Sequence, residues 1–407
     1  MTHYKYLIIG GGMTGDAAAQ GIREIDFEGS IGLIGEEKDP PYNRPPLSKG
    51  LWKGKPLETI WRHTESRNVE FHLGRRAESI DVQSRHVMDD RGDAYTFDKL
   101  LLATGGRPHR LPFGRDPAGV PDATGRIEGA IIYYRTLADY RRLHGMAQQR
   151  RRFAVIGGGF IGSEIAAALA MNGNEVTMIF PGLGIGGYLF PPELSKFLND
   201  YYRQKDVQVL TGEWVTGFER RGDEFILHTS RERQVVVDGV VAGLGIEPNI
   251  ELAQQAGLTL EDGIYVDELL RTSQPGIYAA GDVAMFYSPD LGRNRRVEHE
   301  DNANVMGRTA GRNMAGAAEP YHYLPYFYSD LFELGYEAVG AVDSRLQVVS
   351  DWEEPFRKGV VYYMERRRLR GVLLWNVWDR VEAARDLIAT VQEFRPEELK
   401  GRLRAAK

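Results

Sequence analysis

The 407-residue chain contains no cysteine. That absence excludes structural disulfides, thiolate metal sites, a catalytic thiol and any dithiol relay within the chain, and it agrees with a reducing compartment. No apolar run approaches the roughly 20 residues that a membrane-crossing helix needs, so no membrane span is expected. Basic residues are not in excess: 51 Lys and Arg stand against 57 Asp and Glu, a formal charge of −6. Nucleic acid as a general partner requires a basic footprint and is not expected. Two local basic runs, Arg150-Arg151-Arg152 and Arg366-Arg367-Arg368, read as solvated faces or a patch for an acidic protein rather than as a DNA site. The first strand begins at about residue 4, which leaves no room for a signal or transit segment, and a cytoplasmic protein is expected.

Glycine, by contrast, is abundant at 47 residues, and two clusters of it organise the chain. Tyr4 to Ile9 is an apolar, strand-forming run that breaks into Gly10-Gly11-Gly12-Met13-Thr14-Gly15 and then into the small residues Ala17-Ala18-Ala19. This is a strand, a tight turn and a helix. Gly10 permits the turn, Gly12 lets backbone approach a pyrophosphate, and Gly15 lets the helix lie close on the sheet. Helix N-terminal amides and the helix dipole then hold the anion. A second apolar run, Ser30 to Gly35, ends in Glu36 and Glu37, about 20 residues past the glycines, where a carboxylate can accept from ribose hydroxyls. The whole pattern recurs at Phe153 to Gly162, with Gly158, Gly159, Phe160 and Ile161 at the turn and Ser163 to Ala170 as the small-residue helix. Two dinucleotide sites are expected.

After Glu37 the prolines of Pro40 to Pro46 impose extended backbone. The segment carries Arg44 and Lys49, which fit a phosphate or flavin contact, or equally a stiff surface loop. Alternating runs at Val69–Leu73, His86–Met88 and Tyr95–Phe97 predict a small antiparallel sheet, followed by a buried strand over Lys99–Ala103. Residues 109–126 are rich in Gly and Pro and read as a linker, and Ala138 to Gln149 has helical periodicity. The strand Glu175–Phe180 is followed by Pro181-Gly182-Leu183-Gly184, with neither a carboxylate nor an arginine where the second ribose is read. Val235 to Leu244 reads as one closing strand. A further buried strand ends at Ala280-Gly281-Asp282, where Asp282 suits a polyol chain and a helix cap equally well. From about residue 326, aromatic runs at strand spacing and an amphipathic helix over Val381–Phe394 predict an α+β domain.

The order of the two glycine motifs, Ala103 to Gly106, Gly245 to Asn249 and Ala280 to Asp282 resembles the two-dinucleotide-binding flavoprotein reductases, the pyridine nucleotide-disulphide oxidoreductase superfamily. Pro41 to Lys49, Arg296 to His299, Phe327 to Asp330, Gly335 to Gly340 and Leu374 to Asn376 resemble its ferredoxin-reductase branch, including apoptosis-inducing factor and its bacterial relatives. The resemblance implies an α/β fold with two Rossmann-like domains of the glutathione-reductase kind and a C-terminal α+β domain. Its boundaries would be 1–124 and 248–325 for a split FAD-binding domain, 125–247 for an inserted NAD(P)-binding domain, and 326–407 for the last. FAD would be held by the first glycine motif, Glu36, Arg44, Lys49, the Ala77 backbone, Arg135, Asp282 and His299. The nicotinamide nucleotide would lie on Gly158 to Ile161, with Gly245, Glu298, Glu337 and Asn376 near its reactive end. Lys49 and Glu164 match an ion pair beside the flavin, and Trp61 and Tyr328 match aromatic positions near the nicotinamide.

The implied activity is FAD-dependent oxidation of NADH or NADPH, with electrons leaving the flavin directly for an iron-sulfur protein, a quinone or oxygen. Gly182 leaves the choice of nucleotide open, and with no basic group nearby in sequence NADH is the expectation. The rival reading is a slow-turnover, NADH-binding redox sensor whose conformational or dimerisation change is read by a partner; in either reading the protein is expected as a monomer or a homodimer. A flavoprotein with a vestigial nicotinamide site is the third. The short segment Ser344 to Lys358 and the lack of a mitochondrial targeting region give no ground for import or apoptotic roles.

Overall fold

Tyr4, Tyr6, Leu7, Ile8 and Ile9 are all buried, so both faces of this strand are covered, as in the middle of a parallel sheet flanked by helices. A computed structural model describes residues 1–112, 128–390 and 392–404, and it places Thr2–Ile9 at that position. The chain divides into two units, one of residues 1–44, 57–107 and 247–327, the other of 45–56, 108–246 and 328–407.

In the first unit, Thr2–Ile9 runs parallel to Ile31–Gly35 on one side and to Ala94–Leu102 on the other. Val69–Leu73 extends the sheet in parallel beyond Ile31–Gly35. This corrects the expected small antiparallel sheet: only Ala77–Asp81, His86–Asp89 and the start of Ala94–Leu102 pair in that sense. Tyr95–Phe97 and Lys99–Leu102 are also one strand rather than two. Burial alternates in its first half and becomes continuous at Leu100-Leu101-Leu102, because one face of the strand is covered at first and both are covered later. There Ile277–Ala279 joins it in parallel. Helix Met13–Arg23 lies against helix Glu300–Met314 at very close range: a side-chain carbon on Gly311 would sit 2.0 Å from the Ala18 carbonyl oxygen. The small residues of both helices are what this approach requires.

The second unit holds a parallel sheet in the order Val207–Thr211, Glu175–Phe180, Arg152–Ile156, Gly239–Ala242, Ile131–Tyr133. A three-stranded antiparallel sheet, Val215–Arg221, Glu224–Thr229 and Gln234–Val237, accompanies it. The apolar run Val235–Leu244 therefore belongs to two strands in two sheets. The break is Asp238, whose carboxylate accepts from the Arg152 N–H at 2.9 Å and pairs with its guanidinium at 2.7 Å. The C-terminal part is a five-stranded sheet ordered Tyr326–Leu331, Leu334–Gly340, Arg368–Trp375, Lys358–Glu365, Gln347–Glu354, with helix Val381–Ala389. The linker expected over 109–126 lies largely outside the described residues, as does the 124/125 boundary. Among the described residues no helix is long and apolar enough to cross a membrane.

Candidate cofactor sites

The first glycine turn follows the carboxyl end of the central strand of the first unit. Gly10 adopts φ +127°, and a side-chain carbon on it would fall 2.1 Å from the Ala103 carbonyl oxygen; one on Gly15 would meet the Gly10 oxygen just as closely. Gly12 differs. A side chain there would meet only the Arg44 guanidinium, at 3.9 Å, so its missing carbon leaves open space rather than relieving a contact. Gly12 is also the N-cap of helix Met13–Arg23 and offers no side-chain cap, so Met13 and Thr14 begin a helix whose first amides point at that space. An open cradle, an uncapped helix end and a guanidinium together fit a dinucleotide pyrophosphate.

The two acidic candidates at the end of Ile31–Gly35 part company. Glu37 accepts from Tyr42 at 2.6 Å and from Arg44 at 2.5 Å, whereas Glu36 is exposed. Burial works against the charge of Arg44, but Tyr42, Glu37 and Asp282 outweigh it and raise the guanidinium's pKa. Asp282 follows Gly281, whose φ of +78° brings it against the Thr14 hydroxyl, so Asp282 stands at the same strand edge as the cradle. Arg296 ties this edge down, donating to the Asp282 carbonyl at 3.0 Å and pairing with Glu298 at 2.6 Å. His299 stacks on Phe327 with ring centroids 4.3 Å apart. Burial, and then the charge of Arg295, hold its imidazole down to about 3, so it is neutral near pH 7. Ala77 is buried at a bulge opposite Asp89, and Trp61 bridges to Tyr42.

One member of this neighbourhood escaped the sequence reading. Asp16, 1% exposed, receives Arg62 at 2.6 Å, Arg67 at 2.8 Å and Thr64 at 2.5 Å. It pins the 62–67 segment to the first turn of the cradle helix. The signal was an acid one residue after the last glycine of the motif.

In the second unit Gly157 takes φ +115° against the Gly243 carbonyl, and Gly159 is the N-cap of helix Phe160–Met171, again without a side-chain cap. Open space over Gly159 is bounded by the Tyr188 hydroxyl at 3.5 Å, and Tyr188 meets the Phe160 ring edge-on at 6.1 Å. The Gly158 carbonyl accepts from Gly186 at 2.8 Å, folding the glycine-rich loop onto the turn, and Ile161 follows as a half-buried residue. The cradle fits a second pyrophosphate.

One turn along the same helix, Glu164 is buried with its carboxylate fully engaged. Lys49 donates to it at 2.7 Å, Ser48 at 2.5 Å and Ser329 at 2.5 Å. Lys49 also lies 5.2 Å from the Tyr328 ring centroid. Tyr134 holds the Leu47 carbonyl at 2.5 Å, which places Arg135, the next residue, beside the Pro45–Ser48 turn. Ser48 and Ser329 were not singled out from sequence, since hydroxyls carry no pattern of their own. Glu337 keeps one carboxylate oxygen buried without a partner, and burial, then Asp379, raise its pKa. Asn376, at φ +49°, uses its side-chain amide on backbone, accepting from Gly335 and donating to Arg357, both at 2.8 Å. It therefore fixes the strand end rather than standing free. Gly245, at φ +82°, accepts from the His109 N–H at 3.0 Å.

The family model of pyridine nucleotide-disulphide oxidoreductases matches residues 4–307. The chain belongs to this family. A second model, the C-terminal domain of mitochondrion-associated apoptosis-inducing factor, matches residues 310–355 and 350–390 of this oxidoreductase. Among its relatives, apoptosis-inducing factor 1 of Dictyostelium discoideum is 32% identical over 95% of this chain and 78% of that protein. The ferredoxin–NAD(+) reductase component of the 3-phenylpropionate/cinnamic acid dioxygenase of Photorhabdus laumondii is 30% identical over 96% and 97%. The structure of putidaredoxin reductase in covalent complex with putidaredoxin superposes with a TM-score of 0.89, at 29% identity, over 98% of this chain and 96% of that one. The oxidoreductase works with FAD and a nicotinamide nucleotide, and each of its two cradles has the open space and the uncapped helix that such a molecule needs.

Proposed function

We propose that this oxidoreductase takes electrons from a nicotinamide nucleotide through FAD and delivers them to a small iron-sulfur protein. When bound, the flavin supplies the chemistry, taking a hydride at N5 from nicotinamide C4 and releasing electrons to the acceptor. The chain's part is grip, alignment and field. Gly10 to Gly15 and Arg44 hold the FAD pyrophosphate, Glu36 its ribose, and Asp282, Ala77, Arg135 and His299 the rest of the molecule. Gly158 to Ile161 hold the nicotinamide nucleotide, with Gly245, Glu298, Glu337, Asn376, Tyr328 and Trp61 assigned to its reactive end. Lys49, balanced by Glu164, sets the electrostatic environment of the flavin. We place the protein in the cytoplasm, as a monomer or homodimer, over the boundaries 1–124, 125–247, 248–325 and 326–407.

The observation that carries this reading is the pair of uncapped glycine cradles in a chain with no cysteine, which leaves no dithiol to relay electrons. The test is stopped-flow reduction by NADH followed by mixing with a ferredoxin. Rapid reoxidation supports the proposal; failure of every iron-sulfur protein, with oxygen or quinone taking the electrons instead, contradicts it. The match of the C-terminal domain to apoptosis-inducing factor favours one alternative, a redox sensor. A long-wavelength band that persists in air after NADH addition would support that reading.

A further inference from the structure

Gly182 occupies the position at which a dinucleotide fold ordinarily reads the adenine ribose, and its surroundings explain more than its own lack of a side chain. The Gly212 N–H donates to the Gly182 carbonyl at 3.0 Å, so the turn after strand Val207–Thr211 runs beside it. Over Gly212 lies the Arg231 guanidinium: a side-chain carbon on Gly212 would stand 3.1 Å from its Nη2. Arg231 belongs to the turn joining Glu224–Thr229 to Gln234–Val237. That turn is held by the Ser230 N–H on the Trp214 carbonyl at 2.9 Å and by the Thr229 hydroxyl on Glu213 at 2.8 Å.

The turn carries two cations with different commitments. Arg233 pairs with the buried Glu213 at 3.1 Å. Arg231 is exposed, and among the described residues its side chain has neither an ion pair nor a hydrogen bond. Gly182 is exposed as well, and a side-chain carbon on it would meet nothing nearer than 3.8 Å, so a carboxylate is not kept out by crowding. Glu213, whose N–H donates to the Phe180 carbonyl at 3.3 Å, is buried on Thr229 and Arg233, so among the described residues this corner has no acid free to accept from a ribose, although there is room for one at position 182, and it has an uncommitted guanidinium brought in from a distant turn.

We propose that Arg231 binds the 2′-phosphate of NADPH, so that the nicotinamide site accepts NADPH as well as NADH. A guanidinium suits a phosphate dianion because it offers a planar fork of donors with a permanent charge. A carboxylate at position 182 would instead accept from a 2′-hydroxyl and repel the phosphate. The proposal rests on the assignment of the second cradle to the nicotinamide nucleotide and adds its specificity.

Calorimetric titration of the flavin-loaded protein with NAD⁺, NADP⁺, 5′-AMP and 2′,5′-ADP tests it. The expected result is tighter binding of 2′,5′-ADP than of 5′-AMP. Arg231→Ala lowers the ratio of NADP⁺ to NAD⁺ affinity about tenfold or more, as loss of a charge-assisted contact does. Arg231→Lys falls between the two, and Gly182→Glu shifts the ratio towards NAD⁺. Arg231 is exposed, so its variants keep the fold. The proposal is overturned if NAD⁺ binds while 2′,5′-ADP binds no better than 5′-AMP, or if Arg231→Ala leaves the ratio unchanged. If neither dinucleotide binds, the cradle assignment falls, and this inference with it.

Discussion

Replacing Lys49 by Met removes the cation that pairs with the buried Glu164 carboxylate, its one ion-pair partner among the described residues, while keeping most of the side chain's volume. Glu164 is 2% exposed and Lys49 12%, so water cannot stand in for the lost ammonium. Ser48 and Ser329 still donate to the carboxylate, each at 2.5 Å, which keeps the penalty below that of a bare buried ion. Losing a hydrogen bond to a charged group costs about 1.5–3 kcal/mol, and breaking a buried ion pair from one side costs about 3–5 kcal/mol. With two hydroxyls remaining, about 3 kcal/mol is the expected loss. A domain of roughly 150–250 residues moves about 2–4 °C per kcal/mol, so the melting temperature should fall about 6–12 °C. Adding Glu164→Gln removes the stranded charge and should restore most of the loss, because neutralising both members of a buried pair together is far milder than removing one. Thermal unfolding followed by far-UV circular dichroism on the wild type, both single variants and the double variant gives the coupling. Additivity within about 0.5 kcal/mol would mean that the two groups do not depend on each other, against the buried pair described above.

Three other expectations follow from particular contacts. Gly12→Ala should cost the flavin-free protein only about 1 kcal/mol, the loss of a glycine at a helix N-cap, because the added carbon meets only the Arg44 guanidinium at 3.9 Å, yet weaken flavin binding about tenfold or more; a much larger loss of stability with no added loss of binding would show that the space is structural. His299 is held neutral with its pKa near 3, below the unfolded value of about 6.5, so the unfolded chain binds the extra proton and stability is full above about pH 6.5 and falls with acid through that window. Denaturant titrations should show His299→Gln losing up to about 1.4 kcal/mol per pH unit of that slope, and an unchanged slope would contradict the assignment. Arg404, then burial working in the opposite direction, and the Gly401 N–H act on Asp351, with the net effect of lowering its pKa. The resulting stability is present above the unfolded pKa of about 3.9 and is lost as pH falls through the folded value. Asp351→Asn should release the C-terminal turn at neutral pH, seen as faster hydrogen exchange at residues 401–404.

Both glycine turns and the strands feeding them were legible because the backbone itself dictates them: Gly10 and Gly157 sit at positive φ against a carbonyl, and no other residue serves there as well. Strand boundaries were less legible. The run through Asp98 looked like two strands because its burial changes from one face to two, and the run through Asp238 looked like one because both of its halves are apolar. Least legible were contacts made across long stretches of chain. Ser48 reaches Glu164 across 116 positions and Ser329 reaches it across 165, and nothing local marks a serine as the third donor to a buried acid. Arg231 belongs with these: its neighbourhood to Gly182 exists only once the antiparallel hairpin has folded beside the parallel sheet. The absence of a nearby basic residue in sequence was therefore no guide to its absence in space.

One chain without thiols holds FAD and a nicotinamide nucleotide and passes electrons between them. Anaerobic titration of the purified protein with NADH, followed by its visible absorbance, tests this most directly. The expected result is a yellow protein whose flavin bands bleach with about one equivalent of NADH, because hydride transfer is a two-electron step. A protein that is colourless and cannot be loaded with FAD, or a flavin that neither NADH nor NADPH bleaches, would contradict it.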